Sequence, residues 1–140
     1  MSDFERKVRE QIARSEGTRS LMYFDSLGVP TIGVGHNLRD VPISAAAIDQ
    51  ILRDDLAPAF VDCQNFTWWS LLNEPRKAVM VDMRFNLGAA GFRQFKTMMA
   101  ALSRSEWDVA ADAMMASRWI QQVGQRAVRN VQQMRSGEWV

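Results

Sequence analysis

The segment AVMVDMRFNLG, from Ala78 to Gly88, constrains the fold more than any other stretch of the chain. Its apolar residues fall on nearly every side of a helix, and a helix without a continuous polar face has to be enclosed by other elements. It reads as a central buried helix, opened by Asn73-Glu74-Pro75 because proline is accepted in a first helical turn. Enclosing it takes further helices. Ser44 is a suitable N-cap before Ile48, Ile51, Leu52 and Leu56, and more helical segments are expected at about 92–102, 105–116 and 125–135. Ser105-Glu106-Trp107-Asp108 reads as a capping box with Asp in the Glu position. A chain of 140 residues suffices for one domain with a core that needs neither disulfide nor metal. The single cysteine, Cys63, is expected in that core.

The N-terminal third has a different texture. Phe4, Val8 and Ile12 recur at i, i+4 and i+8 among charged residues, which describes one apolar stripe on a helix. Gly17 supplies a stop just past its end, so Glu16 sits at a helix terminus where its side chain can point off the rigid element. Two short β segments follow, Met22-Tyr23-Phe24 and Thr31-Ile32-Gly33-Val34-Gly35, around a turn containing Gly28 and Pro30. The order of elements predicts an α+β, mostly helical fold with a small N-terminal β-hairpin lobe, about 15–55, and a larger all-helical lobe formed by about 1–14 and 56–140.

Charge is unevenly distributed although the net value is only +1. Residues 1–75 hold seven basic and eleven acidic groups, whereas 76–135 hold ten basic and four acidic. A cationic half suits an acidic polymer, cell-wall glycan or nucleic acid, and equally suits plain solubility. Arg118, Arg126, Arg129 and Arg135 lack the aromatic interleaving of a nucleic-acid surface, so no nucleic-acid partner is expected. The charged N-terminus has no signal-peptide core, and no apolar run approaches the ~20 residues that cross a bilayer. The expectation is a soluble chain made in the cytoplasm, without stable membrane insertion.

Two carboxylates and a hydroxyl lie close in the N-terminal third: Glu16 at the helix end, Asp25 on the hairpin, and Thr31 able to hold a water against Asp25. One acid to protonate a leaving oxygen and another group to handle water are the minimum for glycoside hydrolysis. Alone, a Glu–Asp pair nine residues apart more often reflects surface solvation. His36, the only histidine, has no second ligand at metal spacing and reads as a supporting residue paired with an acid on the following helix, Asp55. No elbow motif supports a serine triad, and Gly33-Val34-Gly35 lacks the pattern of a phosphate loop. No metal and no cofactor are expected.

The spacing Glu16-x8-Asp25-x5-Thr31, followed by Ile32-Gly33-Val34-Gly35-His36, resembles the catalytic segment of the T-even bacteriophage lysozyme family, glycoside hydrolase family 24. The resemblance continues in order through Asn73-Glu74-Pro75-Arg76-Lys77, Met83-Arg84-Phe85-Asn86-Leu87-Gly88, Glu106-Trp107-Asp108-Val109-Ala110-Ala111, Ser117-Arg118-Trp119, Gln125-Arg126-Ala127 and Arg135-Ser136-Gly137-Glu138-Trp139.

It implies a two-lobed lysozyme-like fold and cleavage of the β-1,4 bond between N-acetylmuramic acid and N-acetylglucosamine in peptidoglycan, with inversion. Glu16 matches the general acid, and Asp25 with Thr31 match the pair that positions water. Arg126 matches an arginine near the catalytic glutamate; Phe85 and Asn86 match cleft residues facing the sugar chain, with plain core an equal reading for Phe85. Inversion needs carboxyl groups about 6.5–9.5 Å apart, and a nucleophilic Asp25 would need about 5–5.5 Å. A cation beside Glu16 would favour the ionised form, whereas a general acid must carry its proton. The segment between His36 and Asp55 is shorter than the family pattern, and position 86 carries Asn where Gln is familiar. The implied setting is an endolysin, a monomer acting on glycan strands of the wall from the periplasm once a holin-like partner has permeabilised the host membrane. A non-hydrolytic peptidoglycan-binding or phage structural module and a lytic transglycosylase are the rival expectations.

Overall fold

The computed structural model describes all 140 residues, Met1–Val140. Helix α1, Asp3–Glu16, begins with a reciprocal capping box: Glu5 N–H donates to Ser2 Oγ at 3.1 Å, and Ser2 N–H donates to Glu5 Oε2 at 2.8 Å. It stops at Gly17, whose φ of 77° few side chains tolerate and whose N–H returns to the Ala13 carbonyl at 2.9 Å. Strands β1, Arg19–Phe24, and β2, Pro30–Gly33, pair antiparallel with Tyr23 opposite Thr31 and Phe24 opposite Pro30. A third strand that the residue pattern did not suggest, β3, His36–Asn37, pairs with β2 and brings Ile32 opposite His36. Two residues are too few for an alternation to show in sequence.

Helix α2, Ala45–Gln64, begins after Ser44, whose Oγ accepts from Ala47 N–H at 3.2 Å. Contacts group the chain into two compact units, Met1–Gln50 and Ile51–Val140, with the boundary inside α2. Helix α1 falls in the first unit, whereas the sequence reading grouped 1–14 with the helical lobe. The local reason is that Ile12 and Ala13 share a groove with Val34 of the hairpin, and Glu16 lies against Gly35.

The second unit is built around α3, Glu74–Arg93, capped by Asn73 Oδ1, which accepts from Arg76 N–H at 3.1 Å. Val79, Met80, Val81, Met83 and Phe92 of this helix are buried, as its composition demanded. Each such side chain removed from water contributes roughly 1.5–3 kcal/mol. Gly88, with φ 76° and ψ 169°, is non-helical and breaks α3 into two helical pieces. The helix expected from about 92 is therefore two pieces, the end of α3 and a separate α4, Lys96–Ser103. Then come α5, Trp107–Met115; α6, Arg118–Val123; and α7, Gln125–Ser136.

The short α6 was not foreseen, since six residues between Ser117 and Gly124 carry no readable period. The Ser105–Asp108 capping box does not form: Ser105 takes a φ of +55°, its N–H bonds to Leu102 O, and the Glu106 carboxylate is held by Arg104. Met98, Met114 and Met134 fill the core beside Phe92 and Leu102. Cys63 is fully buried there, and burial, the main cause, pushes its thiol up to about 12.

Two polar ties fasten this core. Arg76, beside the start of α3, donates through Nε to Met134 O at 2.8 Å and through a guanidinium nitrogen to Arg135 O at 3.2 Å, while its guanidinium lies over Trp107 at 4.5 Å. It thereby satisfies carbonyls left open at the C-terminus of α7. Asp62 on α2 accepts from Arg84 Nε at 2.6 Å and pairs with Arg93, so α2 is joined to both halves of α3. Burial pushes the Asp62 carboxyl up, but the hydrogen bonds from Arg84 and Arg93 outweigh it and hold the group below the usual carboxylate range.

Two outcomes follow from these ties. Gly137 has φ +70°, and a Cβ there would lie 2.6 Å from an Arg76 guanidinium nitrogen. Gly137→Ala is expected to destabilise the protein by about 2–3 kcal/mol in urea unfolding, beyond the roughly 1 kcal/mol of left-handed strain. Gly124→Ala, at φ +70° and ψ −132° with nothing within 4 Å of the new Cβ, should show backbone strain alone. For Asp62 the folded pKa is depressed, so its contribution is present above the unfolded value of about 3.9 and lost as pH falls through the folded one. Denaturation of Asp62→Asn should therefore show a stability deficit at pH 7 that narrows below pH ~4.

Candidate active site

In the first unit the hairpin turn is organised by one carboxylate. Asp25 Oδ1 accepts from Leu27 N–H at 2.8 Å and Val29 N–H at 2.9 Å, while the Asp25 N–H donates to Val29 O at 3.0 Å. This is the aspartate turn that makes Asp a preferred residue at such positions. Thr31, opposite Tyr23 in the strand register, donates its hydroxyl to the same Val29 carbonyl at 2.8 Å. Val29 thus links the two side chains through one peptide group. With Oδ1 committed to the backbone, Asp25 Oδ2 is the oxygen available to an outside donor. With its proton given to Val29, Thr31 Oγ1 can only accept from a newcomer, although the residue is 3% exposed and offers a narrow approach.

Glu16 closes α1, and its carboxyl lies beside Gly35 in the tight turn between β2 and β3. Gly17 and Gly35 both take positive φ, so the chain can leave the helix and turn the hairpin close to this carboxyl. Farther along, Arg39 donates to Gly28 O at 3.0 Å, and Asn37 Oδ1 accepts from the backbone of Arg39 and Asp40. These bonds brace the Asp25–Val29 turn from the β3 side. They were missed in the sequence because Arg39 reaches back eleven residues.

His36 has a different bond from the one expected. Its Nε2 lies 3.2 Å from the Val41 carbonyl, and because a carbonyl only accepts, Nε2 carries the proton. This bond is local, five residues along the chain, while Asp55, the partner expected from the sequence, belongs to α2 in the second unit.

The remaining expected residues sit in the second unit. Asn86 Oδ1 accepts from Trp119 Nε1 at 3.0 Å, so the shorter amide at position 86 still makes a side-chain hydrogen bond. Trp119 is 3% exposed and meets Phe95 edge-on at 6.3 Å, so it is a core residue and offers no open stacking face. Phe85 is 38% exposed and lines an apolar groove of about 470 Å³ with Leu56, Phe60, Val81 and Trp139. Arg126 forms an ion pair with Asp82, whose Oδ2 also accepts from Asn130 at 2.7 Å. Asp82 went unnoticed in the sequence. The available signal was an acid inside an otherwise apolar helix, which calls for a partner.

The arrangement offers a carboxyl able to give a proton, a second carboxylate with one oxygen unengaged, and an accepting hydroxyl. Such a set can protonate a leaving group and orient water. Comparison with known proteins points the same way. The phage lysozyme family model matches residues 13–138, a span containing all three groups. The chain is similar to the pre-baseplate central spike protein Gp5 of Enterobacteria phage T4, at 29% identity over 87% of this chain and 26% of that protein. It is also similar to the endolysin of Salmonella phage P22, at 29% identity over 75% of this chain and 76% of that one. A probable T4-type lysozyme of Dictyostelium discoideum is 22% identical over 93% of this chain and 94% of its own. The chain therefore spans about a quarter of the spike protein and most of the other two.

The turn itself is open to test by amide exchange. Asp25→Ala removes the acceptor for Leu27 and Val29, and both amides should exchange on the order of tenfold faster, since a hydrogen bond to a charged group contributes roughly 1.5–3 kcal/mol. Asp25→Asn keeps a carbonyl oxygen in place and should leave both amides nearly as protected.

Proposed function

The chain belongs to the phage lysozyme family, and from that premise we propose that it is a muramidase hydrolysing the β-1,4 bond between N-acetylmuramic acid and N-acetylglucosamine in peptidoglycan. The observation that carries the reading is the division of labour on the hairpin. Asp25 spends one oxygen on the turn and keeps the other, Thr31 keeps its lone pairs, and both are fixed through Val29. A water held between Asp25 Oδ2 and Thr31 Oγ1 is activated as Asp25 accepts its proton, and it attacks the anomeric carbon. Glu16 gives its proton to the leaving glycosidic oxygen on the opposite face, so the configuration inverts. Afterwards Asp25 carries the proton and Glu16 the charge, and exchange with solvent resets both.

Likeness to an endolysin supports the wall as the site of action. Access through a holin-like permeabilising partner, with the enzyme working as a monomer, goes with this reading. The alternative is a wall-binding or structural module of a larger phage assembly, and it is favoured by the similarity to a baseplate spike protein of which the chain spans about a quarter.

Digestion of purified peptidoglycan in heavy-oxygen water separates these readings. The expected products carry one label at a new muramic-acid reducing end, first seen by NMR as the inverted anomer. Glu16→Gln should reduce turnover by about 10²–10⁴, the usual contribution of a positioned acid. Thr31→Val should retain binding and lose most of the hydrolysis. Equal release by wild type and Glu16→Gln would favour the structural module, and anhydro-muramic products would favour a transglycosylase.

A further inference from the structure

We propose that Gly35 is the positioning residue for Glu16: by lacking a side chain it provides the seat on which the Glu16 carboxyl rests. The inference builds on the muramidase reading of Glu16.

Among the residues of the first unit no donor bonds the Glu16 carboxyl. A glutamate at the last position of a helix has three side-chain torsions to restrain, and packing must restrain them. Glu16 is solvent-exposed, and the close approach to its carboxyl that the structure shows is at Gly35. A Cβ built on Gly35 would lie 3.1 Å from Glu16 Oε2, 3.3 Å from Cδ and 3.5 Å from Cγ. The carboxyl therefore lies over the bare Cα, in space that every other residue would fill.

Conformation alone does not account for glycine here. Gly33, two residues earlier in the same hairpin, has φ +67° against +69° for Gly35, and a Cβ at Gly33 would meet nothing within 4 Å. The two positions share a positive φ, and only at position 35 would a Cβ meet an acid. Because the group displaced at Gly35 is the far end of a flexible side chain, a methyl there should move the carboxyl by tenths of an ångström at little cost to folding. Proton transfer to a leaving oxygen is far less tolerant, since it needs a heavy-atom distance of about 2.6–3.2 Å. Misplacement of reacting groups by an ångström can cost on the order of a hundredfold in rate.

The test compares Gly35→Ala with Gly33→Ala on peptidoglycan oligomers and on a 2,4-dinitrophenyl muramyl glycoside, whose leaving group departs without protonation. Gly35→Ala should lower kcat on the glycan by about 5–10-fold with KM within about twofold. On the activated glycoside it should lose less than about threefold, while Gly33→Ala stays within about threefold on both. If alanine at 35 prevents folding, Gly35→Asn carries the same Cβ on a residue that accepts positive φ, with Gly33→Asn as its control. The proposal is overturned if the position-33 variant loses as much as its position-35 counterpart, or if the position-35 variant loses equally on both substrates. Glu16→Gln distinguishes the two levels. If it keeps full glycan activity, the muramidase reading of Glu16 fails and takes this inference with it; if it is inactive while Gly35→Ala and Gly35→Asn match wild type, only the seat is refuted.

Discussion

A helix with Val79, Met80 and Met83 wholly removed from water must be walled on every side, and that requirement organises residues Ile51–Val140. The same helix carries Asp82 and Arg84, which burial would make costly without partners. Asp82 is met by Arg126 and Asn130 of α7, and Arg84 by Asp62 of α2. Apolar enclosure and polar satisfaction thus select the same neighbours. Apolar burial supplies the bulk of the free energy, and the ion pairs set which faces of α2 and α7 turn towards α3.

The hairpin of the first unit rests on a different footing. Leu27 at its tip is 85% exposed, so burial does little for the Asp25–Val29 turn. Backbone bonds to Asp25, the bond from Arg39 to Gly28 and positive-φ glycines hold it instead. This suits a catalytic platform. A carboxylate that builds its own turn cannot drift without breaking two hydrogen bonds, so its second oxygen is aimed by the backbone itself. Asp25 is therefore a structural residue and, in the proposed mechanism, a chemical one as well, and its Ala and Asn substitutions probe different things.

Where the sequence was legible, the physics was local. The capped start of α3, the stop of α1 at Gly17, the burial of Cys63 and the hairpin around Asp25 each follow from residues within a few positions of one another. What escaped reading depended on distant partners or on competition between local options. Ser105-x-x-Asp108 has capping residues at the right spacing, yet the chain must turn sharply between α4 and α5, and Ser105 is used at positive φ for that turn. The helix body read as Ala78–Gly88 does break at Gly88, and a second helical piece beyond it carries Phe92 into the core. Within the site, the three chemical groups were readable from spacing and family resemblance, whereas the neighbours of His36, Asn86 and Arg126 were not, since each bond lies outside the motif that named the residue.

Within the second unit Arg126 is not a free cation, because it pairs with Asp82. A free guanidinium stabilises the charged form of any carboxyl it approaches, which works against a proton donor. Arg126 spends much of its field on Asp82, with Asn130 holding that carboxylate in place from its other oxygen. The guanidinium keeps donors beyond those it gives Asp82. The anchoring acid is itself held on α3, whose Val79, Met80 and Met83 are wholly buried.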